Sequence, residues 1–459
     1  MSRPKPRSLL EALLKSGPPS QSVLSDGITT VPLQAMTTGT CLAGHTADLI
    51  GRSVLVAVAT QLEAALVLIE LDGLARRLVL CPPDLATEHL QSVITDAEVD
   101  AIACTDVSAF ASYGIDRIVK VTTPVPIQQH PVADTTTEWL MFTSGTTGKP
   151  KMAIHSFAGL TGAIKATGTT AIQPVWATFY DIRRFGGLQI FLRAMLMGSS
   201  IILSRSDETI SAHLQRLGDA GVSHISGTPT HWRRALMSSR VPAFTPQYLR
   251  LSGEIADQAI LDALKGAFPR SSIAHAYAST EAGVGFEVTD GLEGFPANYI
   301  GSAGGEVEMN VRDGALQIRS PRMASFYAGR PDLALIGSDG FVDTGDIVEL
   351  RGNRYYFVGR RGGIINVGGL KVHPEEIETV INRHAAIRLS RVRSRKSPII
   401  GAIVVADIML NEEAAGSDQI ALKSDIMALC KRELPPHKIP AVLNVVAAIE
   451  TTIGGKIAR

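Results

Sequence analysis

Residues 140–151 read Leu-Met-Phe-Thr-Ser-Gly-Thr-Thr-Gly-Lys-Pro-Lys, and this stretch says more about the fold than any other part of the chain. An apolar strand runs into a loop of small hydroxyl residues and glycines. The loop ends in two lysines and gives way to a second apolar strand at 152–154. Small residues let backbone N–H groups approach a polyphosphate, while hydroxyls add donors and lysines add charge. The pattern predicts a phosphate-binding loop between two strands.

The spacing within this loop excludes a P-loop. That motif needs four residues between its glycines and a Ser or Thr after the lysine. Here two residues separate Gly145 from Gly148, and Pro150 follows Lys149. On this segment alone, a flexible hairpin without a ligand remains the alternative.

Outward from the loop, apolar strands alternate with helical patterns, which is typical of an α/β fold with largely parallel sheets. The clearest run predicts strands at 54–59, 77–81 and 101–104 and helices at 62–71 and 85–94. The alternation resumes after 152 and continues to about 283. Residues 284–360 hold short strands separated by Asp-Gly and Gly-Asn turns, which predicts an antiparallel or barrel-like subdomain.

The last part of the chain reads as a separate small domain. Gly362 and Gly363 follow Arg360 and let the backbone change direction at little steric cost. About a hundred residues remain, enough for a small domain. It opens with a strand and a helix whose first turn contains Pro374.

Composition limits the possible partners. The 459 residues are 45% hydrophobic and 19% charged, and 44 basic residues balance 44 acidic ones. A zero net charge argues against nucleic acid or an anionic membrane surface as the main partner. No apolar run reaches the roughly 18 residues that would predict a membrane span. The four cysteines have no metal spacing and fit a reducing compartment, so we expect a cytoplasmic protein.

Several motifs carry a resemblance to a known family. Residues 143–151 resemble the signature phosphate loop of the adenylate-forming superfamily, which includes acyl- and aryl-CoA synthetases, nonribosomal peptide synthetase adenylation domains and beetle luciferases. Other segments resemble further motifs of that family, in the family's order: Tyr277–Glu281, Asp343–Asp346, Val358–Arg360, Ile365–Lys371 and Gly454–Ile457. The series covers roughly residues 50–459.

The resemblance implies both a fold and a reaction. The fold is α/β, with a large N-terminal AMP-binding domain at 1–361 made of two α/β sheet subdomains and a barrel-like β subdomain. A small mobile α+β catalytic domain follows at 362–459. The reaction joins a small carboxylic acid to AMP at the expense of MgATP, releases pyrophosphate, and passes the acyl group to CoA or phosphopantetheine.

The resemblance also implies roles for residues around the phosphates. The loop residues that would cradle the phosphates are Thr143, Ser144, Gly145, Thr146, Thr147, Gly148 and Lys149. Thr280 would contact the α-phosphate and Glu281 would hold Mg²⁺. Lys456 would lie between the substrate carboxylate and the α-phosphate and stabilise the charge that develops there.

Other residues would hold the nucleoside. Asp346 would accept hydrogen bonds from the ribose hydroxyls, Arg360 would donate to the ribose side, and Tyr277 would stack on adenine. Gly253 and Glu254 resemble the family's adenine-side segment. Three alternatives stay open: Asp346 as the cap of a turn, Tyr277 as a core residue, and Glu254 as a first-turn acid of the following helix.

The acyl pocket departs from the family's common Phe-His pattern. We expect Tyr180, Asp181, Arg184 and Gly227 to line it. If Arg184 takes the histidine's place, the pocket is unusually polar. Under another alignment Asp181 matches the aspartate that binds a substrate α-ammonium group, and an Asp181–Arg184 ion pair is the structural alternative. His231 is expected to be a packed or capping histidine.

Acyl transfer implies a moving C-terminal domain. Gly362 stands at the hinge, where the family usually has Asp or Lys, and Gly368, Gly369 and Lys371 form the loop that would face the thiol. The sequence favours a CoA ligase. It leaves open a stand-alone enzyme that loads a carrier protein or forms an amide, and a non-catalytic nucleotide-binding relative.

Overall fold

The structure is a computed structural model, and it describes most of the chain. The described residues are 6–132, 134–143, 149–164, 173–238, 244–301, 305–367, 370–397, 401–414, 416, 418–452 and 454–458.

Eleven α-helices are present in these residues, and several have strong N-terminal caps. The third begins with a reciprocal capping box between Thr60 and Glu63. In chain order the helices are α1 (Leu9–Ser16), α2 (Leu33–Thr38), α3 (Gln61–Leu71), α4 (Thr87–Asp96), α5 (Phe157–Thr161), α6 (Phe185–Leu196), α7 (Ile210–Asp219), α8 (Pro229–Ala235), α9 (Gln258–Ala267), α10 (Pro374–Ile381) and α11 (Gln419–Glu433).

The strands of the described residues are between two and eleven residues long. The first half contains β1 (Val23–Ser25), β2 (Thr30–Pro32), β3 (Gly39–Thr40), β4 (Ser53–Ala57), β5 (Arg77–Leu80), β6 (Ala101–Cys104), β7 (Arg117–Lys120), β8 (Val125–Pro126), β9 (Glu138–Phe142), β10 (Met152–Ser156), β11 (Trp176–Thr178), β12 (Ile201–Ile202) and β13 (His224–Gly227). The second half contains β14 (Tyr248–Ser252), β15 (Ser272–Ser279), β16 (Gly283–Val288), β17 (Phe295–Pro296), β18 (Glu308–Arg312), β19 (Ala315–Arg319), β20 (Val342–Arg351), β21 (Arg354–Arg360), β22 (Ile365–Val367), β23 (Leu370–Val372), β24 (Ile387–Ser397), β25 (Gly401–Leu410) and β26 (Val442–Val445).

Two largely parallel sheets form the body of the molecule, as the alternating pattern predicted. One has six strands in the order β10-β9-β5-β4-β6-β7, and the other has eight in the order β16-β15-β14-β13-β11-β12-β1-β2. The three strands predicted at 54–59, 77–81 and 101–104 correspond to β4, β5 and β6. In the eight-stranded sheet, α6 packs against β11 and β15, whereas α8 and α9 pack against β13 and β15. Parallel sheets of this kind are covered on both faces.

A third sheet is antiparallel and follows the two parallel ones. Its order is β17-β21-β20-β19-β18. The Asp-Gly and Gly-Asn turns at Asp313-Gly314 and Gly352-Asn353 connect β18 to β19 and β20 to β21. This region is antiparallel, as the turn signals predicted.

The residues after Gly362 have their own sheets and core. They form the pair β22-β23 and the three-stranded sheet β24-β25-β26, with α10 and α11 packed nearby. The apolar core of this part draws only on residues between Ile365 and Val445. Among the described strands, none on one side of Gly362 pairs with one on the other. The α/β fold is confirmed, while the division into 1–361 and 362–459 stays a prediction here.

Within the described residues, no helix is long and apolar enough to cross a bilayer.

Candidate active site

The predicted phosphate loop joins β9 to β10. These strands pair antiparallel with Phe142 opposite Met152, and the Thr143 amide donates to the Lys151 carbonyl at 3.0 Å. Thr143 and Lys149, at the two ends of the loop, are described. The loop residues that lie outside the described part are Ser144, Gly145, Thr146, Thr147 and Gly148. The strand pair therefore fixes where the loop begins and ends.

The basic end of the loop and Glu281 share a neighbour, Tyr327. The Tyr327 hydroxyl lies 3.5 Å from Oε1 of Glu281, and the Lys151 ammonium lies 5.6 Å from the centroid of the Tyr327 ring. Among the described residues, the Glu281 carboxylate accepts no shorter hydrogen bond. Its oxygens are therefore available to a cation. Tyr327 was not predicted from the sequence, since it lies in an irregular segment without a motif.

A buried histidine supports the residue that precedes Glu281. Nε2 of His155, on β10, lies 2.7 Å from the carbonyl oxygen of Thr280. Burial lowers the pKa of His155 to about 4, although the hydrogen bond to Thr280 opposes this. The ring is therefore neutral at pH 7, with its proton on the nitrogen that faces Thr280. Sequence reasoning missed His155, although its position directly after the strand predicted at 152–154 was a usable signal.

The proposed ribose-binding pair meets across two antiparallel strands. Asp346 on β20 is the direct cross-strand partner of Arg360 on β21, and the Arg360 Nε lies 3.1 Å from the Asp346 carboxylate. The Tyr277 hydroxyl donates to the other Asp346 oxygen at 2.5 Å. Burial raises the pKa of Asp346, while Arg360, Tyr277 and Lys456 all act to lower it. The carboxylate is thus held by two donors at one end of the sheet.

Tyr277 is packed as well as hydrogen-bonded. Its ring stacks against Phe357, with centroids 5.3 Å apart, and against Phe286, with centroids 5.7 Å apart. Both partners belong to the core around the antiparallel sheet. The surroundings of Tyr277 therefore agree with the alternative that it is a core residue. Its stacking on adenine stays a prediction.

A cavity of about 500 Å³ connects these groups. Its walls include Ser279, Glu281, Tyr327, Gly345 and Arg360. It therefore runs from the predicted metal-binding carboxylate to the predicted ribose-binding strands. This position suits a nucleotide whose phosphates face Glu281.

The C-terminal loop folds back into the large domain. Within the loop, the Thr452 amide donates to the Lys456 carbonyl at 2.7 Å and closes a tight hairpin. The hairpin then docks: the Thr228 hydroxyl donates to the Gly455 carbonyl at 2.8 Å, and the Ile457 amide donates to Glu254 at 3.1 Å. Residues so close to a chain end are commonly frayed. These bonds instead hold the loop on α8 and the segment after β14.

Docking places Lys456 among the predicted nucleotide residues. A Cβ built on Gly253 would lie 3.3 Å from Cε of Lys456. Burial lowers the pKa of Lys456, while the nearby carboxylates of Glu254 and Asp346 act to raise it. The side chain therefore lies partly buried beside both of these carboxylates, within the predicted site. The family motif placed it here, and no local periodicity could have done so.

The structure rules out one of the two roles predicted for Glu254, that of a first-turn acid of the following helix. The following helix, α9, begins four residues later and is capped by Asp257, so Glu254 is not a first-turn acid of that helix. Its Oε2 instead accepts from the Thr230 amide at 3.0 Å, in the first turn of α8. Glu254 therefore joins α8 to the docked C-terminal loop.

The predicted Asp181–Arg184 ion pair is wrong. Asp181 binds Arg183, two residues further along the chain, whose Nε and Nη2 lie 2.9 and 2.6 Å from its two oxygens. Arg183 reaches inward because its Nη1 also donates to the Val58 carbonyl at 2.7 Å. Arg184 turns the other way and pairs with Asp84. Asp181 is thus neutralised inside the protein.

Tyr180 and Gly227 make close contacts within the protein. The Tyr180 hydroxyl lies 2.6 Å from the Ser252 carbonyl. A Cβ on Gly227 would lie 2.6 Å from the Phe179 ring, so only glycine fits beneath that ring. His231 caps α8 through Thr228 and stacks on Phe179 with centroids 5.2 Å apart, in agreement with its predicted capping role.

The Asp181 geometry gives a first testable prediction. Asp181→Asn leaves the Arg183 guanidinium without its ionic partner, and its side chain is only 4% exposed. Loss of charged hydrogen bonds of this kind costs about 1.5–3 kcal/mol of unfolding free energy. Urea unfolding of Asp181→Asn against Asp207→Asn, an exposed acid paired with Arg205, measures this. The α-ammonium role of Asp181 would be restored if the two variants were equally stable and Asp181→Asn lost a wild-type preference for amino acids over their deamino analogues.

The predicted hinge and thiol-transfer residues follow Arg360, the last residue of β21, in the chain. Gly362 is exposed in a single turn at Arg361–Gly363, and no atom of the described residues lies within 4 Å of a Cβ built on it. Lys371 is exposed on β23. Gly368 and Gly369 lie outside the described residues. Arg361 pairs with Asp343 at 2.9 Å, immediately before the predicted hinge.

The acidic residues of the described chain do not form a protein-only metal centre. Within the described residues, no group of three or more His, Cys, Asp or Glu side chains could hold a metal ion. Mg²⁺ commonly binds through one or two carboxylates together with substrate phosphates. The available oxygens of Glu281 fit that arrangement.

Comparison with known proteins agrees with this geometry. A profile of the family described as AMP-binding enzyme matches residues 27–324. A 2-succinylbenzoate–CoA ligase from Listeria innocua serovar 6a is 28% identical over 338 residues, covering 70% of this chain and 68% of the relative. A mitochondrial acyl-coenzyme A synthetase from Rattus norvegicus is 27% identical over 359 residues, and the match covers 70% of this chain but only 60% of that protein.

A solved structure extends the similarity to nearly the whole fold. The anthranilate CoA ligase AuaEII, crystallised with anthranoyl-AMP, superposes with a TM-score of 0.79. The superposition covers 99% of this chain and 96% of the other, with 17% sequence identity. The shared fold therefore includes the residues beyond 324, where Asp346, Arg360 and Lys456 lie.

Proposed function

This chain belongs to the family of AMP-binding enzymes, and from that premise we propose that it activates a carboxylic acid with ATP and transfers the acyl group to CoA. A carboxylate oxygen attacks the α-phosphorus, the bond to the β-phosphate breaks, and pyrophosphate leaves. The thiol sulfur then attacks the acyl carbonyl and releases AMP. The observation that carries the proposal is the docked Lys456, which lies close to Asp346 and Glu254.

The first step brings two anions together, so it needs preorganised positive charge. Lys456 supplies it at low hydration, and Arg184 lies near enough to lower the pKa of Lys456. Thr143 and Lys149 would hold the outer phosphates, and Thr280 would contact the α-phosphate. Asp346 and Arg360 would hold the ribose, with Tyr277 and the Gly253–Glu254 segment toward adenine.

The second step would use the other side of the C-terminal domain. Lys456 is docked in the site, whereas Lys371 is exposed on β23. We propose that the domain at 362–459 turns about Gly362 relative to 1–361. This movement would exchange the terminal loop for the loop that holds Gly368, Gly369 and Lys371. Within the part of the chain that the structure describes, no atom lies close to the open side of Gly362, which supports such a hinge.

Mg²⁺ is the proposed metal, and Glu281 would hold it together with the phosphates. The ion would neutralise phosphate charge as pyrophosphate leaves. We expect Glu281→Gln to raise the Mg²⁺ concentration needed for half-maximal adenylate formation by roughly 10-fold or more, because one charged ligand is lost. A Mg²⁺ titration of the adenylation rate measures this.

A matched control sharpens this second prediction. Glu287→Gln changes an acid on β16, six residues after Glu281 in the chain, that pairs with Arg250. Its Mg²⁺ titration should follow that of the wild type. Identical titrations for Glu281→Gln and the wild type would remove Glu281 from the metal site.

Two other acceptors and one non-catalytic reading compete with this proposal. A carrier protein bearing phosphopantetheine, or an amine, would take the acyl group by the same second step. A non-catalytic relative would have no reason to keep Glu281, Asp346, Arg360 and a docked Lys456 together. The scattered, unpaired cysteines favour a cytoplasmic location, which also stays a proposal.

A pyrophosphate-exchange screen tests the proposed function. Labelled pyrophosphate is incubated with the protein, MgATP and fatty, aryl or amino acids, and each assay is repeated with CoA. We expect acid-dependent exchange into ATP, and thioester formation when CoA is present. Exchange without thioester formation would favour the carrier or amide alternatives, and no exchange with any acid would support the non-catalytic reading.

A further inference from the structure

A second cavity, separate from the one beside Glu281, lies where α8 meets β24. Its volume is about 200 Å³. Its lining comes from both sides of the proposed hinge, because Arg233 and Arg234 belong to α8 and Arg388 belongs to β24. Of the eight described residues that line it, three are arginines and none is acidic. Such a lining favours a negatively charged occupant.

A β-bulge brings Arg388 into this cavity. Ile387 pairs with Leu410 and Leu389 pairs with Met409, so Arg388 is an extra residue in β24 without a cross-strand partner. Consecutive residues of a regular strand face opposite sides. Arg388 and Leu389 nevertheless both line the cavity. Bulges commonly re-aim a side chain in this way. The strand is therefore distorted at the position that supplies a cation to the cavity from the C-terminal side.

Two of the three arginines have no partner among the described residues. Arg233 is paired with Asp257, the residue that caps α9. Arg234 and Arg388, in contrast, make no hydrogen bond and no ion pair within the described residues. Burial lowers the pKa of Arg388 and the charge of Arg234 lowers it further, whereas Glu412 acts to raise it. Two neighbouring guanidinium groups, one from each side of the hinge, therefore repel each other unless an anion lies between them.

The cavity also borders the segment that leads into the C-terminal loop. Thr451 lines it and forms a β-bridge with Ile457, the residue directly after Lys456. Its hydroxyl makes no hydrogen bond in the part of the chain that the structure describes, so it is a further donor for an anion. An occupant of the cavity would therefore contact both α8 and the base of the loop that carries Lys456.

We propose that this cavity binds a phosphate dianion, which bridges Arg234 on α8 and Arg388 on β24 and holds the C-terminal loop in its docked position. Guanidinium groups bind phosphate through paired hydrogen bonds, and a dianion matches the two unpaired charges. At roughly 30 Å³ per water molecule, the cavity has the volume of about six waters, which suits a phosphate group. Inorganic phosphate and the phosphate group of an ester share this chemistry, and a binding experiment distinguishes them.

Occupancy of the cavity has a consequence for catalysis, and this consequence rests on the proposed function. The bridge joins groups on the two sides of Gly362, so it must break before the C-terminal domain turns. A ligand that binds one of two arrangements shifts the equilibrium toward that arrangement. Bound phosphate therefore favours adenylate formation and opposes acyl transfer to CoA.

Calorimetric titration tests the site without any turnover. Inorganic phosphate, and in a parallel series glycerol 3-phosphate, is added to the intact protein with its nucleotide site filled by excess MgATP and no acid present. We expect one phosphate to bind per chain. Arg388→Gln and Arg234→Gln should each weaken binding by roughly 10-fold or more, because a charged hydrogen bond is lost. Arg432→Gln, an exposed arginine on α11 paired with Glu433, is the control. The tighter of the two ligands identifies the source of the phosphate group.

Urea unfolding separates a binding role from a structural one. Because Arg234 and Arg388 lack protein partners and repel each other, either glutamine variant should unfold at the wild-type urea concentration or slightly above it. Added phosphate should raise the midpoint of the wild type and of Arg432→Gln, but not that of the two cavity variants. Absence of phosphate binding, equal binding by all four proteins, or a loss of stability in Arg388→Gln without phosphate would overturn the inference.

Rates of the second half-reaction test the bridge itself. Saturating phosphate should slow thioester formation from synthetic acyl-AMP and CoA in the wild type, and Arg388→Gln should lose this inhibition. Acyl transfer that is unaffected by bound phosphate, or that is inhibited equally in Arg388→Gln, would contradict the bridge. Absence of pyrophosphate exchange with every acid would instead overturn the proposed function, while the calorimetric result would still decide whether the cavity binds phosphate.

Discussion

Replacement of Lys456 by alanine is expected to slow acyl-adenylate formation by roughly 10²–10³-fold, as expected for loss of one preorganised electrostatic contact. The ammonium lies in the site only because the C-terminal loop is bound through Thr228 and Glu254. Its low hydration strengthens its interaction with a developing negative charge. The rate of pyrophosphate release in a single turnover measures the effect.

The same variant should retain acyl transfer. When synthetic acyl-AMP is supplied with CoA, Lys456→Ala should form thioester at close to the wild-type rate, because Lys456 would then face away from the acyl carbonyl. Lys431→Ala, an exposed lysine near the end of α11, serves as the control for both steps. Equal loss in the two half-reactions would contradict the proposed exchange of loops.

The second large effect is expected from Gly455→Ala. Gly455 has a φ of +70°, and a Cβ there would lie 1.9 Å from Nε2 of His231. His231 cannot move aside easily, because it caps α8 and stacks on Phe179. The substitution should displace the loop, so we expect adenylate formation to fall by on the order of 10²-fold or more, with Lys456 itself intact.

The adjacent glycine is a matched control. A Cβ on Gly454 would have its nearest neighbour at 3.7 Å, an ordinary contact, so Gly454→Ala should change the adenylation barrier by less than about 0.5 kcal/mol. Both variants should unfold at the same urea concentration as the wild type, since the loop contributes little to the core. If Gly455→Ala adenylated as fast as Gly454→Ala, docking of the loop would not be required.

The fold was largely predictable because it depends on local patterns. The strand predicted at 101–104 is observed with those bounds as β6, since its buried apolar run is closed by polar residues on both sides. The helix predicted at 85–94 begins later, at Thr87, because Leu85 lies in a turn in which its amide donates to the Pro82 carbonyl. Such shifts depend on the final turn geometry, which a hydrophobic period does not encode.

The site residues that belong to a sequence motif were predictable. The contacts that tertiary packing determines were not. Asp346 and Arg360 meet because antiparallel register places them opposite each other. The partner of Asp181 was missed because Arg183 and Arg184 are chemically identical in sequence. Only the distant Val58 carbonyl selects which of them turns inward. His155 and Tyr327 were missed because their contacts with Thr280 and Glu281 join segments far apart in the chain.

The most direct test of the central claim follows a carboxylate oxygen. A substrate acid found in the exchange screen is labelled with ¹⁸O in its carboxyl group and incubated with the protein, MgATP and CoA. Attack on the α-phosphorus followed by acyl transfer leaves one labelled oxygen in the phosphate of AMP, and mass spectrometry of the nucleotide detects it. We predict labelled AMP in amounts equal to the thioester formed. Label in inorganic phosphate together with ADP would show attack on the γ-phosphorus and would contradict the account.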